Sequence, residues 1–242
     1  MEDKKRAILG QVAAGTISPE EAAQRLDELE RARATDALRR VRVIGEAGQV
    51  EVFGDPDVKE AVVDGEHSVR REGDTLIIET EADVMGPGFS FIRGEGFRVF
   101  GGAGGGVVIR MNPLLALEAQ VEAGTFRVSD VRGPIQARIE AGSTIINNFA
   151  APLDLAVEAG TVKASGVLTH GTSRIACEMG SVKLHLGRGS SVRIQARSGM
   201  GSVKLPETAA PGRRSREAVI GAGEAILEIE SNMGSVKVTC DE

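Results

Sequence analysis

One glycine position recurs along most of the chain and sets the register of a repeat. The glycine is preceded by Ala or Met in every copy, and it occurs at Gly48, Gly124, Gly142, Gly160, Gly180, Gly201 and Gly234. From Gly124 to Gly201 the spacing is 18, 18, 20 and 21 residues. A unit of this length cannot bury its own apolar face, so the copies are expected to stack on one another.

Apolar side chains alternate on both sides of this glycine. The second and fourth positions after it, the fifth before it and the one directly before it are mostly Val, Ile, Leu, Ala or Met. A period of two is typical of strands with one buried face. We expect all four columns to point into the core, including the methionine of the three MGSVK copies at Met179, Met200 and Met233. The glycine would turn a corner, and the Ser or Thr after it would hydrogen-bond that turn.

These patterns predict a mainly β fold, a parallel β-solenoid of about seven short coils stacked at ~4.8 Å. The composition fits, since the chain has 31 Gly, no Trp and no Tyr, and its core must use small and β-branched residues. A left-handed hexapeptide solenoid is excluded because Arg127 stands six residues after Val121, where a small or aliphatic residue is required. An antiparallel meander stays open as the alternative.

Residues 1–38 predict an α-helical hairpin ahead of the repeat domain at 39–242. Ser18 is a good N-cap, Pro19 suits the first helical position, and Glu21 completes a capping box. Two helices alone bury too little surface. Their apolar side chains are therefore expected to dock on the body of the chain, on a second copy or on a partner, and they include Ile8, Leu9, Val12, Leu26 and Leu29.

Two stretches, at 84–106 and 206–223, interrupt the repeat and predict excursions from the stack. The first is rich in glycine and carries Phe89, Phe91, Phe97, Phe100, Arg93 and Arg98. Since the whole chain has seven aromatic residues, this segment is the first candidate for an interaction site. It could instead cover the end of the stack or insert at a membrane interface.

The chain resembles a bacterial putative-adhesin family of unknown function. The resemblance lies in the opening GTISPEEAAQRLDEL, in strands such as VRVIGEAGQVEVF and DTLIIETEA, and in the recurring EAG and G-[ST]-V-K-[LV] elements. It implies a cytoplasmic β-solenoid protein with a short helical module, no enzymatic activity and a link to the cell-envelope stress response. Bactofilins, which are cytoskeletal β-solenoids without this helical front end, are a more distant resemblance.

The motifs that could carry chemistry favour structural interpretations. MGSVK lacks the Walker spacing and is followed by strand residues, so it predicts no phosphate loop. Ser181, Ser202 and Ser235 stand at one repeat position, whereas a catalytic serine is normally unique. The same holds for the acidic column Glu122, Glu140, Glu158 and Glu178, which does not form the matched acid/base pair of a carbohydrate-active solenoid enzyme. His67, His170 and His185 share no motif with a ligand or base, and Cys177 and Cys240 have no metal spacing.

The third position after the glycine is basic in most copies and predicts an outward column. Its basic members are Arg127, Lys163, Lys183, Lys204 and Lys237. Such a column is either a solvated face or a stripe for an anionic surface, such as inner-leaflet lipid or a polyanionic polymer.

Charge and composition bound the function. A net charge of −6 argues against nucleic acid as a partner. The N-terminus lacks a signal-type apolar run, which predicts a cytoplasmic protein, including one at the inner face of the membrane. We expect a non-enzymatic scaffold or interaction protein that associates with itself or with a protein partner. It would need no cofactor, metal or small-molecule substrate. A membrane-surface adaptor using the Phe/Gly segment and the basic column, and a carbohydrate-active solenoid enzyme, are the alternatives.

Overall fold

The computed structural model describes residues 10–12, 17–18, 20–25, 38–80, 106–206 and 215–241. Within these ranges the chain has short helical segments at residues 10–12 and 20–25 and is otherwise mainly β. The strands are β1 (Arg40–Gly54), β2 (Ala61–Asp64), β3 (Ser68–Glu72), β4 (Thr75–Thr80), β5 (Gly106–Met111), β6 (Ala116–Ser129), β7 (Ile135–Phe149), β8 (Leu153–Gly166), β9 (Thr172–Leu186), β10 (Val192–Lys204), β11 (Ser215–Ile220) and β12 (Ala225–Cys240).

These strands form one sheet with the order β11-β10-β12-β9-β8-β7-β6-β1-β4-β3, and β5 pairs with β1 and β2. All pairs between the long strands are parallel, so the antiparallel meander is wrong for the body of the protein. The mainly β, mainly parallel prediction is confirmed at this level. The antiparallel pairs are β2–β5, β3–β4 and β10–β11, and each includes at least one short strand.

The repeated glycines stand side by side in seven strands. Gly124 is paired with Gly48 and Gly142, and the register continues through Gly160 and Gly180. Their φ angles lie between 111° and 156°, a region that side chains rarely adopt. A Cβ on any of them from Gly124 onwards would overlap the carbonyl oxygen of a neighbouring glycine. From Gly124 onwards, the corner position therefore requires glycine for two reasons. Its φ angle disfavours any side chain, and the neighbouring carbonyl oxygen leaves no space for a Cβ.

Side chains on both sides of this corner fill one continuous core. The columns two and four residues after the glycine are buried, with Leu205 partly exposed as the exception. The fifth and third residues before it are also buried, as at Leu155 and Val157 in β8. The core prediction is confirmed for three of the four columns. The third residue before the glycine, which is also buried, was not among the predicted columns.

The prediction for the residue directly before the glycine is wrong. Met179, Met233 and Met200 are 49%, 44% and 67% exposed. The buried positions nearest the glycine lie three residues before it and two residues after it, so they are five residues apart. Because this number is odd, the alternation of buried and exposed residues changes phase at the corner. The positive φ of the glycine permits this slip, and the residues around it point outward.

At one end of the sheet, two short strands take the place of a long one. Residues 40–45 of β1 pair with β4, and residues 49–54 pair with β5. β4 ends at Thr80, opposite Gly45, and β5 begins at Gly106, opposite Gln49, so the ends of both short strands lie at the corner of β1. The segment 81–105 stands between them in the sequence. It lies outside the described residues, as do the candidates Phe89, Phe91, Phe97, Phe100, Arg93 and Arg98.

Short antiparallel strands lie at both edges of the sheet. All five residues of β3 are exposed, and three of them are charged, which discourages the addition of a further strand. At the other edge, β11 pairs with residues 192–197 of β10. The strand β11 occupies part of the stretch 206–223 that was predicted to leave the stack.

The helical start at Ser18 is as predicted. The Ser18 hydroxyl accepts a hydrogen bond from the Glu21 amide at 3.1 Å, which is the N-cap contact. The Arg25 side chain donates to Gln11 at 3.3 Å, so the two helical segments are in contact. Val12 is half-buried, whereas Ile8, Leu9, Leu26 and Leu29 lie outside the described residues. The boundary between a 1–38 module and the repeat domain stays a prediction.

The glycine column yields a test with two matched controls. We expect Gly160→Ala to lower the free energy of unfolding by more than about 3 kcal/mol, because it adds both a disfavoured φ and an overlap with the backbone of Gly142. Gly189→Ala has a φ of 87° and no atom in the way, so it should cost about 1 kcal/mol. Gly187→Ala meets only ordinary contacts and should change stability by less than about 0.5 kcal/mol.

Urea unfolding of the three variants measures these differences. If Gly160→Ala and Gly189→Ala lowered the free energy of unfolding equally, the strands would be able to move apart at the corner without loss of stability.

Candidate functional site: the Met–Lys face

The third residue after each corner glycine points outward, and register brings these residues into one ladder. Lys163 of β8 is paired with Lys183 of β9, Lys183 with Lys237 of β12, and Lys237 with Lys204 of β10. All four lysines are exposed. Neighbouring strands are ~4.8 Å apart. Four ammonium groups therefore project from consecutive strands.

The predicted basic column is divided in two. Arg127 of β6 contacts Glu51 of β1 at 2.7 Å, which neutralises that end of the column. Ile145 of β7 stands between Arg127 and Lys163 and carries no charge. The structure thus separates Arg127 from the four lysines, and only the lysines form a continuous ladder.

The lysine ladder has no counter-charge in the described part of the chain. None of its four members forms an ion pair or side-chain hydrogen bond there. Two unit charges 4 Å apart in water repel by about 1 kcal/mol, and long side chains reduce this by spreading. An anion placed along the ladder would replace the repulsion with attraction.

A shallow depression of about 300 Å³ lies along the ladder. Lys163, Lys183 and Lys237 line it together with His185 and Thr239. The His185 ring contacts the Thr239 hydroxyl at 3.0 Å through Nδ1 and the Asp241 carboxylate at 3.1 Å through Nε2. Ala164 and Leu184 complete the lining, so the depression combines a largely apolar surface with polar groups and three cationic side chains.

A second ladder runs beside the first. Met179 is paired with Met233, and Met233 with Met200, in the strands that carry three of the four lysines. Each methionine lies four residues before its lysine, across the corner. We call the surface formed by Met179, Met200, Met233, Lys163, Lys183, Lys204 and Lys237 the Met–Lys face. It combines an exposed apolar ridge with a row of positive charges.

The acidic column lies on the same side of the corner as the methionines, opposite the lysines. Glu122, Glu140, Glu158 and Glu178 stand in β6, β7, β8 and β9, two residues before the glycine, and all are exposed. In β12 and β10 the same position holds Asn232 and Gly199, so the acidic ladder ends where the methionines are concentrated. Within the described residues no ion pair joins these glutamates to the lysines.

The serines of MGSVK occupy equivalent exposed or half-exposed positions, as the repeat predicts. Ser181, Ser202 and Ser235 make no hydrogen bond to a histidine or carboxylate in the described part of the chain. The sequence predicts that they hydrogen-bond the backbone of the corner, but within the described residues they form no such bond. That contact comes from Ser198, which donates to the carbonyl of Gly234 at 3.0 Å.

The other predicted chemical groups are placed apart. Cys177 and Cys240 are free thiols, and burial raises the pKa of the Cys177 thiol, which keeps it protonated and poorly nucleophilic. His67 contacts the carbonyl of Gly65 at 2.8 Å, and His170 contacts the Thr169 hydroxyl at 3.0 Å. Among the described residues, no three His, Cys, Asp or Glu side chains are grouped to hold a metal ion. No helix described here is long and apolar enough to cross a membrane.

Sequence reasoning found the lysines and missed the methionines. The available signal was the replacement of Met by Ala at the same position in four other strands. A core position seldom accepts such a change in volume without compensation. An exposed position accepts it readily, and this contrast could have indicated the outward orientation.

No protein-family model and no curated protein matches the chain. Among solved structures, it is similar to a putative cell adhesion protein from Clostridium sporogenes, with 14% identity and a TM-score of 0.49 over 86% of this chain and 95% of that one. It is also similar to a putative adhesin from Bacteroides fragilis, with 11% identity and a TM-score of 0.24 over 84% and 93% of the two chains. At these values neither structure assigns a fold or a function to the chain.

The lysine ladder predicts a salt-dependent gain of stability on neutralisation. Lys237 has a lysine on each side, so Lys237→Gln should raise the free energy of unfolding by about 0.2–1 kcal/mol at low ionic strength. Near 1 M salt, where the screening length is about 3 Å, the gain should vanish. Arg138→Gln is the control, because Gln120 and Ala156 flank Arg138. Equal effects of the two substitutions in urea unfolding would contradict mutual repulsion of the lysines.

Proposed function

We propose that this chain is a non-enzymatic scaffold protein that binds an acidic protein partner through the Met–Lys face. The observation that carries the proposal is the row of four lysines without a counter-charge, held beside three exposed methionines on adjacent strands. Exposed apolar side chains next to aligned charges are typical of interaction surfaces. A partner with carboxylates around an apolar patch would match both components.

The proposed scaffold is a parallel β-solenoid of about seven coils. The connection between β7 and β8 supports it. If β7 were a straight strand, its 15 residues would span about 50 Å. Only residues 150–152 join β7 to β8, and this link reaches at most about 14 Å. Yet Ile135 pairs with Leu153 at the start of both strands. This geometry requires β7 to turn back on itself, which supports a coil.

A rigid coil stack suits this role because register aligns the side chains that bind. Methionine adapts its shape to a partner, and lysine adds charge steering to the encounter. The place of the chain in the cell is part of the proposal: it acts in the cytoplasm, in the cell-envelope stress response. The link to the stress response is supported by the sequence resemblance alone.

Charge reversal on the ladder tests the proposal. Tagged wild type, Lys183→Glu/Lys237→Glu and the control Arg138→Glu/Arg193→Glu should be purified from the native host. The two double variants change the net charge equally, and both control arginines are exposed. We expect wild type and control to retain a partner in stoichiometric amount and the ladder variant to lose at least 90% of it. Equal retention by all three would place the partner elsewhere.

A membrane-surface adaptor is the second candidate, favoured by the same neighbourhood of methionines and lysines. Near an anionic bilayer each lysine would contribute about 1 kcal/mol, and the methionines would enter the interface. The candidate arginines and phenylalanines of the segment 84–106 could add to this contact, which would place the protein at the inner face of the membrane.

Vesicle co-sedimentation separates the two candidates. With phosphatidylglycerol vesicles, an adaptor should bind as wild type and lose binding in Lys183→Glu/Lys237→Glu and in Phe91→Ser/Phe100→Ser. Phosphatidylcholine vesicles and the arginine control complete the comparison. Negligible binding of wild type to both lipids would eliminate the adaptor and leave the protein partner.

A further inference from the structure

The order of the strands in space departs from their order in the chain. The strand β12 lies between β9 and β10, and its Gly234 is paired with Gly180 on one side and Gly201 on the other. Five residues, 187–191, join β9 to β10, although these two strands are not neighbours in the described sheet. The chain thus leaves a position open after β9 and fills it with β12.

The three strands share MGSVK, so the corner itself does not select which strand occupies this position. Met, Gly, Ser, Val and Lys of β12 meet the same five residues on both sides. A direct β9–β10 pairing would satisfy the same register. Selection of β12 must come from residues outside the pentapeptide.

Specific contacts hold β12 in place. Glu230 accepts a hydrogen bond from Arg174 of β9 at 3.4 Å and also contacts Arg197 of β10. On the other side of the corner, His185 contacts Thr239 and Asp241. Leu227, Ile229, Val236 and Val238 of β12 are almost completely buried. The position between β9 and β10 is therefore a slot with its own charge pattern and an apolar floor.

The connection to β12 is short and contains two glycines. Residues 221–224 join β11 to β12, and they include Gly221 and Gly223, with φ angles of 61° and 73°. The contacts that hold β12 come from β9, β10 and the residues directly before these strands, since Ala225 donates its N–H to the Ser191 carbonyl and Ile226 donates its N–H to the Gly171 carbonyl. A β12 strand from a second copy would reproduce all of them, and only the path of 221–224 would change.

We propose that the slot between β9 and β10 is a strand-acceptor site that takes β12 from the same chain or from a second copy. Exchange of β12 between two copies gives a strand-exchanged dimer, which needs no new interface beyond the exchanged strand. The occupant is the chain's own sequence, since Glu230, Thr239 and Asp241 match Arg174, Arg197 and His185. This assembly is independent of what the Met–Lys face binds.

Disulfide tethers test the exchange. Ser181 of β9 and Ser235 of β12 are register partners, and the ~4.8 Å between neighbouring strands suits a disulfide. In a Cys240→Ser background, Ser181→Cys/Ser235→Cys ties β12 to its own chain. Ser143→Cys/Thr161→Cys is the matched control, which ties β7 to β8 at the same repeat position.

Each full-length protein is oxidised, unfolded and refolded at high concentration, and sedimentation measures the dimer fraction. We expect dimers in the background protein and in the β7–β8 control, and at least a tenfold smaller fraction in the β9–β12 tether. Reduction of the tether should restore the dimer. A background protein that stays monomeric at every concentration, or a tethered protein that dimerises equally, would overturn the proposal.

Mixed copies give a second measurement. One copy carries Ser181→Cys and the other Ser235→Cys, each in the Cys240→Ser background. Refolded together and then oxidised, they should form a covalent heterodimer through the exchanged strand, and its absence would overturn the proposal. The Cys240→Ser background protein keeps the Met–Lys face unchanged, so its partner capture from the host reports on the proposed function separately.

Discussion

Backbone packing at the corner glycines is the constraint on which the other features depend. The carbonyl oxygen of one glycine occupies the space that a Cβ of the next would need. Neighbouring strands can approach at that point only if glycine meets glycine. A shift of even one residue would place a side chain in the overlap, so the corner holds the strands in register along their whole length.

This register converts a repeated sequence into ladders of identical side chains. The inward ladders are mostly apolar and form the core, with Thr144, Ser198 and Ser231 as buried polar exceptions. The outward ladders place like charges side by side, which costs free energy unless the charges are paired or solvated. The two parts of the basic column differ in this respect. Arg127 is neutralised by Glu51, whereas the four lysines have no counter-charge in the described residues. The proposed binding surface therefore coincides with the uncompensated repulsion between the lysines.

Much of the core was predictable because burial alternates with a period of two. The columns two and four residues after the glycine and five before it follow that rule. The N-cap at Ser18 was predictable for another reason, because it depends only on a local capping motif. The methionine column failed because the period changes phase at the corner, and the phase depends on a backbone angle that the pattern does not contain. The lysine ladder was predicted as a column, but the pairing of Arg127 was not, because the partner Glu51 is 76 residues away.

The sequence by itself determined the repeat, the glycine corners, the inward Val and Ile columns and the outward lysines, because each follows from local periodicity. Tertiary structure alone decided which strands are neighbours. Three strands carry the same pentapeptide, so no local signal distinguishes β9–β10 pairing from the insertion of β12 between them. Contacts far apart in the chain, above all Glu230 with Arg174 and Arg197, make that choice. The same order brings Met179, Met233 and Met200 together and completes the Met–Lys face.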